Sequence, residues 1–388
     1  MSALESHRIC ISEAALSELA TRLKATRWID DPFEGDWRFG APLPFVRALC
    51  DYWLHEFDWR ALEGRLNRDS QVMAEIDGLR LHAMTRRSSR TSALPLMLLH
   101  GWPSSFLEFV DLYDPLCEPA NGNAAFHVVT PSLPGYGFST TRSGISPQRV
   151  APLLVTLMER LGYERFVVQG GDWGSLIATE ICRQFPERVM GLHLNLINGS
   201  PPSDKDSIPL SAQEQSWVNE LNLWQTYPHL ILQSHKPASL TYALNDSPAG
   251  LAAWIGEKIH DWIDSDGLVE PFVPFDRLVA NIALYWFTGT AGSAALLYHE
   301  LAHNPPDPQY VKVPTAAAIF PKEVVKLPRA WAEGHYNIVQ WNVFDHGGHF
   351  PALEHPDVLV HDLQRFAAVL GALERDQPGL GPSKRSSS

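Results

Sequence analysis

Cysteine is scarce in this 388-residue chain. The four present (Cys10, Cys50, Cys117, Cys182) lie far apart with no C-x-x-C spacing. That pattern excludes a zinc ribbon and a disulfide framework and predicts reduced structural thiols. Long apolar runs are missing too: none approaches the ~20 residues of a membrane span. The opening Met-Ser-Ala-Leu-Glu-Ser-His-Arg has no apolar signal core, so a cytoplasmic protein without a membrane anchor is expected. Basic charge is short, with 31 Lys and Arg against 44 Asp and Glu and a net charge of −13. Nucleic acid and anionic membrane surfaces are therefore poor partners. No internal repeat is present. In contrast, 13 Trp and 30 Pro are high counts, and 45% apolar with 19% charged residues fits a well-buried globule with an aromatic interior. The length suits one large domain with an insertion, or two domains.

Along the chain the hydrophobic period changes several times. Residues 12–27 read as an amphipathic helix with Ser12 as N-cap and Leu16, Leu19, Ala20 and Leu23 on one face. A Trp- and Phe-rich helical meander follows, so 1–70 is taken as an N-terminal unit. Val72–Ile76 and Leu79–Met84 flank Asp77-Gly78, a strong hairpin signal. Strands are expected at Leu94–Leu99, Phe126–Thr130, Phe166–Gln169 and Val189–Leu196, with helices at 104–116 and Pro147–Leu161. Strands alternating with helices predict a mainly parallel sheet covered on both faces. Residues 199–310 break the alternation with successive helical segments carrying Trp217, Trp224, Trp254, Trp262 and Trp286, and read as an inserted helical cap. Alternation returns in 311–373, with strands at Thr315–Phe320 and Asn337–Phe344 and a last helix near Pro356–Leu370. The Pro/Gly/Ser-rich tail from 374 to 388 is expected to be disordered. The domain expectation is thus 1–70, a core of 71–198 and 311–373, and a cap of 199–310.

The most informative segment is Gly170-Gly171-Asp172-Trp173-Gly174-Ser175. A β-branched run ends there and a helix-like stretch begins at once, so Asp172 sits at the apex of a very tight turn. Glycines two before and two after the apex allow the turn and a close helix–strand approach. Where the G-x-S-x-G elbow has serine, a carboxylate can instead displace a leaving group at saturated carbon and become an ester. Three further segments fall where an α/β-hydrolase needs them. His100-Gly101-Trp102-Pro103 follows a strand, so the backbone N–H groups of Trp102 and Trp173 are the candidate oxyanion hole. Pro134-Gly135-Tyr136-Gly137-Phe138-Ser139 makes a tight loop that lacks the third glycine of a dinucleotide fingerprint. Asp345-His346-Gly347-Gly348-His349-Phe350 follows the last strand and supplies His349 as base, with His346 as competitor. For the acid, the residues alone leave Glu323, Glu333 and Asp345 open.

Taken together, these motifs and the Trp-rich N-terminal meander resemble epoxide hydrolases of the microsomal type, including the juvenile-hormone branch. The resemblance covers about nine-tenths of the chain. It implies an α/β-hydrolase fold with an N-terminal meander and a helical cap. It makes Asp172 the nucleophile, His349 the base and Glu323, in Phe320-Pro321-Lys322-Glu323, the acid. Tyr298, thirteen residues after Tyr285-Trp-Phe-Thr-Gly-Thr, matches one of the two cap tyrosines that hold the epoxide oxygen. The second tyrosine's position, seven residues before Lys236-Pro237, is His229 here, with Tyr227 two residues earlier; either is a candidate donor. The implied substrate is a small apolar or aromatic epoxide, in detoxification or secondary metabolism, opened to a vicinal diol without metal or organic cofactor. Homo-oligomerisation is left open.

Three other functions fit parts of the same sequence. A haloalkane dehalogenase shares the Asp-ester chemistry, and the indole N–H of Trp173 would then grip the halide. His299-Glu300-Leu301-Ala302-His303 matches the H-E-x-x-H of zinc peptidases, with Glu323 twenty residues on as third ligand and Glu300 as base. The helix is cut short by Asn304-Pro305-Pro306, and Glu323 is expected after a strand, which argues for coincidence. A silent ligand binder on the same scaffold is the third alternative.

Overall fold

Asp77 and Gly78 turn the chain with φ of 50° and 71°, the paired left-handed conformations that a two-residue hairpin needs. This computed structural model describes residues 4–376 except 121, 204–207, 225–226, 266 and 271. Its strands are β1 (Glu5–Ser6), β2 (Ser70–Ile76), β3 (Leu79–Arg86), β4 (Leu94–Leu99), β5 (Phe126–Pro131), β6 (Phe166–Gly170), β7 (Val189–Leu194), β8 (Val311–Ile319) and β9 (Tyr336–Val343). They form one sheet in the order β1-β2-β3-β5-β4-β6-β7-β8-β9. The first three strands and the β3/β5 pair are antiparallel, and every pair from β5 through β9 is parallel. This is the α/β-hydrolase fold.

The central strands read as near-continuous apolar runs because helices cover both faces. All five residues of β6 and the last four of β4 are buried. The helix Pro147–Arg160 and the helix Trp173–Gln184 pack against each other and flank the sheet. At its other face, Phe366 and Leu370 of the helix Pro356–Asp376 fill the space that a side chain at Gly191 would occupy. That helix runs to Asp376, into the segment from 374 that the sequence reading takes as the tail. Residues 377–388 lie outside the described residues.

The segment expected as one helix over 104–116 is instead a 3₁₀ stretch, Phe106–Leu112, followed by a short α-helix, Tyr113–Cys117. Pro115 has no N–H to give, which is harmless only in the first turn of a helix. The N-terminal helix Glu13–Lys24 begins as the sequence indicates, with the Ser12 hydroxyl accepting from the Ala15 amide at 3.2 Å. β1 went unseen because two residues carry no periodicity.

Between β7 and β8 the chain leaves the sheet and runs through helices, including Pro228–His235, Pro248–Trp262, Phe275–Thr288 and Leu296–His303. These pack over the carboxyl ends of the strands and against the N-terminal meander. Trp37 stacks on His260 at 3.5 Å, Phe45 lies against Gly256, and Arg22 pairs with Asp246 at 2.8 Å.

Candidate active site

Strands β4, β6, β8 and β9 all end on the same edge of the sheet, where open α/β sheets bind ligands. Asp172 follows β6 and precedes the helix Trp173–Gln184 with φ 48° and ψ −126°. Such a backbone is strained for a residue with a Cβ, and the neighbouring glycines make it feasible. A side chain at Gly174 would collide with the Leu99 carbonyl of β4, and one at Gly170 with the Gly174 carbonyl. At Gly171 it would meet the Asn195 amide at 2.7 Å.

The carboxylate of Asp172 is held asymmetrically. Its Oδ1 accepts the Trp102 backbone N–H at 2.7 Å, whereas its Oδ2 faces His349 Nε2 at 3.6 Å. Trp173, first residue of the helix, makes no hydrogen bond to this carboxylate, and its amide points from the helix N-terminus. Nδ1 of His349 is hydrogen-bonded to Glu323 Oε1 at 2.6 Å, and Glu323 is 1% exposed. Glu323 also accepts the Val324 N–H at 2.7 Å and the Asn195 side-chain amide at 3.3 Å. The buried Lys326 ammonium donates to the Glu323 carbonyl at 2.6 Å and pairs with Glu220 of the cap at 3.0 Å. The competing acids lie elsewhere: Asp345 is exposed and pairs with His346, and Glu333 pairs with Arg329 on the surface.

Burial opposes a charge on His349, but the carboxylates of Glu323 and Asp172 outweigh it and raise its pKa well above the ordinary histidine value. Burial, then the charge of Asp172, likewise push the Tyr298 phenol well above its usual value. Tyr298 therefore keeps its proton. Its ring meets Trp173 edge-on at 4.6 Å and Trp102 at 5.8 Å. His229 stacks on Trp102 at 5.2 Å, tilts on Trp262 at 5.0 Å and stands 5.9 Å from Tyr298. Burial and the nearby Lys258 charge lower its pKa to about 3, so it is neutral. Tyr227 precedes the same helix, half-buried, with its ring 6.1 Å from that of His229. The structure thus brings Asp172, His349, Glu323, Trp102, Trp173, Tyr298 and His229 together, with Tyr227 at the margin.

Sequence reasoning missed how the two site loops are fixed. Gly347 N–H donates to Asp264 at 2.8 Å, His349 N–H to the Trp262 carbonyl at 2.8 Å, and Gly348 and Phe350 both donate to Glu354 at 3.1 Å. Four consecutive amides around the histidine are thereby committed to the cap segment 262–264 and to Glu354. On the other side, Asn281 donates to the Pro103 carbonyl at 2.7 Å and Tyr285 to the Ser104 carbonyl at 2.8 Å. The only sequence signal for these roles was an acid or amide within otherwise apolar stretches. Glu108 also escaped notice; it lines the small cavity beside Asp172 and His349.

The H-E-x-x-H residues do not converge with Glu323. Glu300 accepts the Gly144 amide at 2.7 Å and is held by Asn304, His299 bonds the Ser234 carbonyl at 2.9 Å, and Glu323 belongs to His349. A larger cavity of about 550 Å³, lined by Arg22, Trp28, Val46 and Pro248 among others, shares no residue with the Asp172 site.

Fold and site together define an α/β-hydrolase with an aspartate at the turn between β6 and the helix that follows it. Residues 4–109 match the family described as epoxide hydrolase N terminus, and residues 95–245 match the alpha/beta hydrolase fold family. Epoxide hydrolase 1 of Sus scrofa is 32% identical, with 92% of this chain and 87% of that protein covered. The crystal structure of juvenile hormone epoxide hydrolase from the silkworm Bombyx mori superposes with a TM-score of 0.90 at 29% identity, covering 96% of each chain. The Aspergillus niger epoxide hydrolase structure gives 0.86 at 32% identity, covering 95% of this chain and 97% of that one. The chain belongs to the epoxide hydrolase family. Among the described residues, no helix is long and apolar enough to cross a membrane.

Proposed function

We propose that the chain opens an epoxide to a vicinal diol through an ester on Asp172. The observation that carries this reading is the line Glu323–His349–Asp172, at 2.6 and 3.6 Å, below Tyr298 in a member of this family. Oδ2 of Asp172 attacks a ring carbon and the bond from that carbon to the ring oxygen breaks. Tyr298 gives its proton to the departing oxygen. Oδ1 remains on the Trp102 amide and becomes the carbonyl oxygen of the ester.

Esterification removes the Asp172 charge, one of the two anions that raise the His349 pKa, and so favours the neutral imidazole; a proton held there before the reaction leaves to solvent and is regained when Asp172 is again a carboxylate. His349, oriented by Glu323, then removes one proton from a water whose oxygen bonds to the ester carbonyl carbon. The oxyanion on Oδ1 is held by Trp102 and by the Trp173 amide at the helix N-terminus. Collapse breaks the bond to the alkyl oxygen, which takes the proton from His349. The acid left on Asp172 returns its proton to the Tyr298 oxygen. No metal or organic cofactor enters these steps.

His229, neutral and next to Tyr298, is the second donor to the epoxide oxygen in this reading, in preference to Tyr227. The rings of Trp102, Trp254, Trp262 and His229 support a small apolar or aromatic substrate. The cysteines are all free thiols, which supports the cytoplasm as the compartment.

The test is the mass of His349→Gln after incubation with aryl and alkyl epoxides and with haloalkanes, followed by peptide mapping. An epoxide-sized adduct on Asp172 is expected. An adduct from haloalkanes alone would assign a dehalogenase, and no adduct in the folded variant would favour a silent binder.

A further inference from the structure

Beside the nucleophile, on the side of the sheet edge rather than of the aromatic cap, lies a small cavity. Its walls are Leu99, Gly101, Ser104, Glu108, Asp172 and His349, with His100, Gly171 and Phe350. About 10 Å³ is open to the centre of a water molecule, which is room for about one water. A buried water needs two to four polar partners, and the walls offer them. Nε2 of His349 is buried without a hydrogen bond, 3.6 Å from Oδ2 of Asp172, the Ser104 side chain acts on the Glu108 carboxyl, and Ser104, Glu108 and Asp172 line the same space.

We propose that this cavity holds the water of the second step and that Glu108 is a catalytic residue that orients it. The inference rests on the covalent reading above. One proton of the water points to His349 Nε2 and the other to the Glu108 carboxylate, so that a lone pair on its oxygen faces the carboxyl carbon of Asp172. That oxygen bonds to the ester carbon while the first proton passes to His349. The second proton stays on the new carboxyl oxygen until Asp172 returns to carboxylate, hydrogen-bonded to Glu108 throughout. No oxidant or further reactant is needed.

Burial raises the Glu108 pKa to about 7, an effect that the Ser104 hydrogen bond and His349 oppose and the Asp172 and Glu323 charges reinforce. When Asp172 becomes an ester one of the two reinforcing anions is gone, so Glu108 is favoured as the carboxylate, an acceptor, at the moment the water must be held. The 3₁₀ geometry of Phe106–Leu112 turns Glu108 toward the nucleophile while Phe106, Phe109 and Leu112 bury themselves. A helix continuing from Ser104 with α periodicity would aim it differently.

The experiment separates the two half-reactions. Wild type, Glu108→Gln, Glu108→Asp, Ser104→Ala and His349→Gln are mixed with styrene oxide or cyclohexene oxide in quenched flow. Adduct on Asp172 and free diol are measured against time. Glu108→Gln should form adduct within about twofold of the wild-type rate, release diol at least about tenfold more slowly, and accumulate ester. Glu108→Asp should recover part of the loss. Adduct decay at the wild-type rate in folded Glu108→Gln would overturn the inference, as would an equal fall in both half-reactions. If Glu108→Gln does not fold, Glu108→Asp and Ser104→Ala carry the test, since displacing the carboxyl must slow decay alone. Absence of adduct in His349→Gln with diol still formed would overturn the covalent reading itself, and this inference with it.

Discussion

Trp102 donates its backbone N–H to Oδ1 of Asp172 at 2.7 Å. That bond makes the two carboxylate oxygens unequal before any substrate arrives. In the proposed mechanism Oδ2, toward His349, is the atom that attacks, and Oδ1 already sits where the oxyanion forms. The predicted consequence is that Asp172→Asn forms no adduct and loses at least about 10³ in turnover, because an amide cannot displace the ring oxygen. Adduct mass and diol release check this, with fresh protein used so that deamidation does not restore the acid.

Glu323 orients His349 through a 2.6 Å contact. Glu323→Gln keeps the shape but loses the anion that stabilises the imidazolium. Ester hydrolysis is expected to fall by about 10²–10⁴, with the adduct building up as in His349→Gln. Equal slowing of adduct formation would place Glu323 in the first step instead.

In the proposed mechanism Tyr298 and His229 divide the donor role. Tyr298→Phe should slow adduct formation by about 10²–10³, the usual loss for one oxyanion donor, and leave adduct decay nearly unchanged. His229→Phe should have a smaller effect on the same step, and His229→Tyr should restore it. Single-turnover rates with styrene oxide separate these outcomes.

How much of this was legible in the sequence differs by residue. Asp172 stood out because a strand can enter a helix within one residue only where glycines remove side chains from the Leu99 and Gly174 carbonyls. Glu323 did not stand out among Glu333 and Asp345, since only the folded chain reveals that the other two face solvent. The hairpin stood out because Asp77-Gly78 lies between two strand-like runs, whereas two-residue β1 has no period to read. Glu108 was hidden in Phe106-Leu107-Glu108-Phe109-Val110, an apolar stretch whose 3₁₀ path no spacing revealed. The clamp of Glu354 and Asp264 on the histidine loop joins parts of the chain about ninety residues apart, which no local pattern records.

That clamp predicts a stability effect. Glu354→Ala leaves the amides of Gly348, Phe350 and Asp264 without their acceptor. A loss of about 2–4 kcal/mol is expected, together with slower ester hydrolysis because His349 is no longer held. Chemical denaturation and single-turnover kinetics on the same variant test both.

Acid should unfold the protein cooperatively. Burial lowers the pKa of His82 to about 3, His100 to about 4 and His229 to about 3. These groups are neutral when folded and protonate near 6.5 when unfolded. Their contribution is present above pH 6.5 and is lost as pH falls toward 4 and 3, at about 1.4 kcal/mol per pH unit per histidine. His349, with its pKa raised, acts in the opposite sense. His82→Gln should reduce the proton uptake on unfolding between pH 4 and 6 by about one, measured from stability against pH.

The central claim is that diol oxygen passes through Asp172. A single turnover of excess enzyme with styrene oxide in water enriched in heavy oxygen tests it most directly. The account predicts an unlabelled diol, with the heavy oxygen recovered in the peptide that carries Asp172. Heavy oxygen in the diol of that first turnover, with none in the peptide, would mean that water attacks the epoxide directly, and would contradict the account.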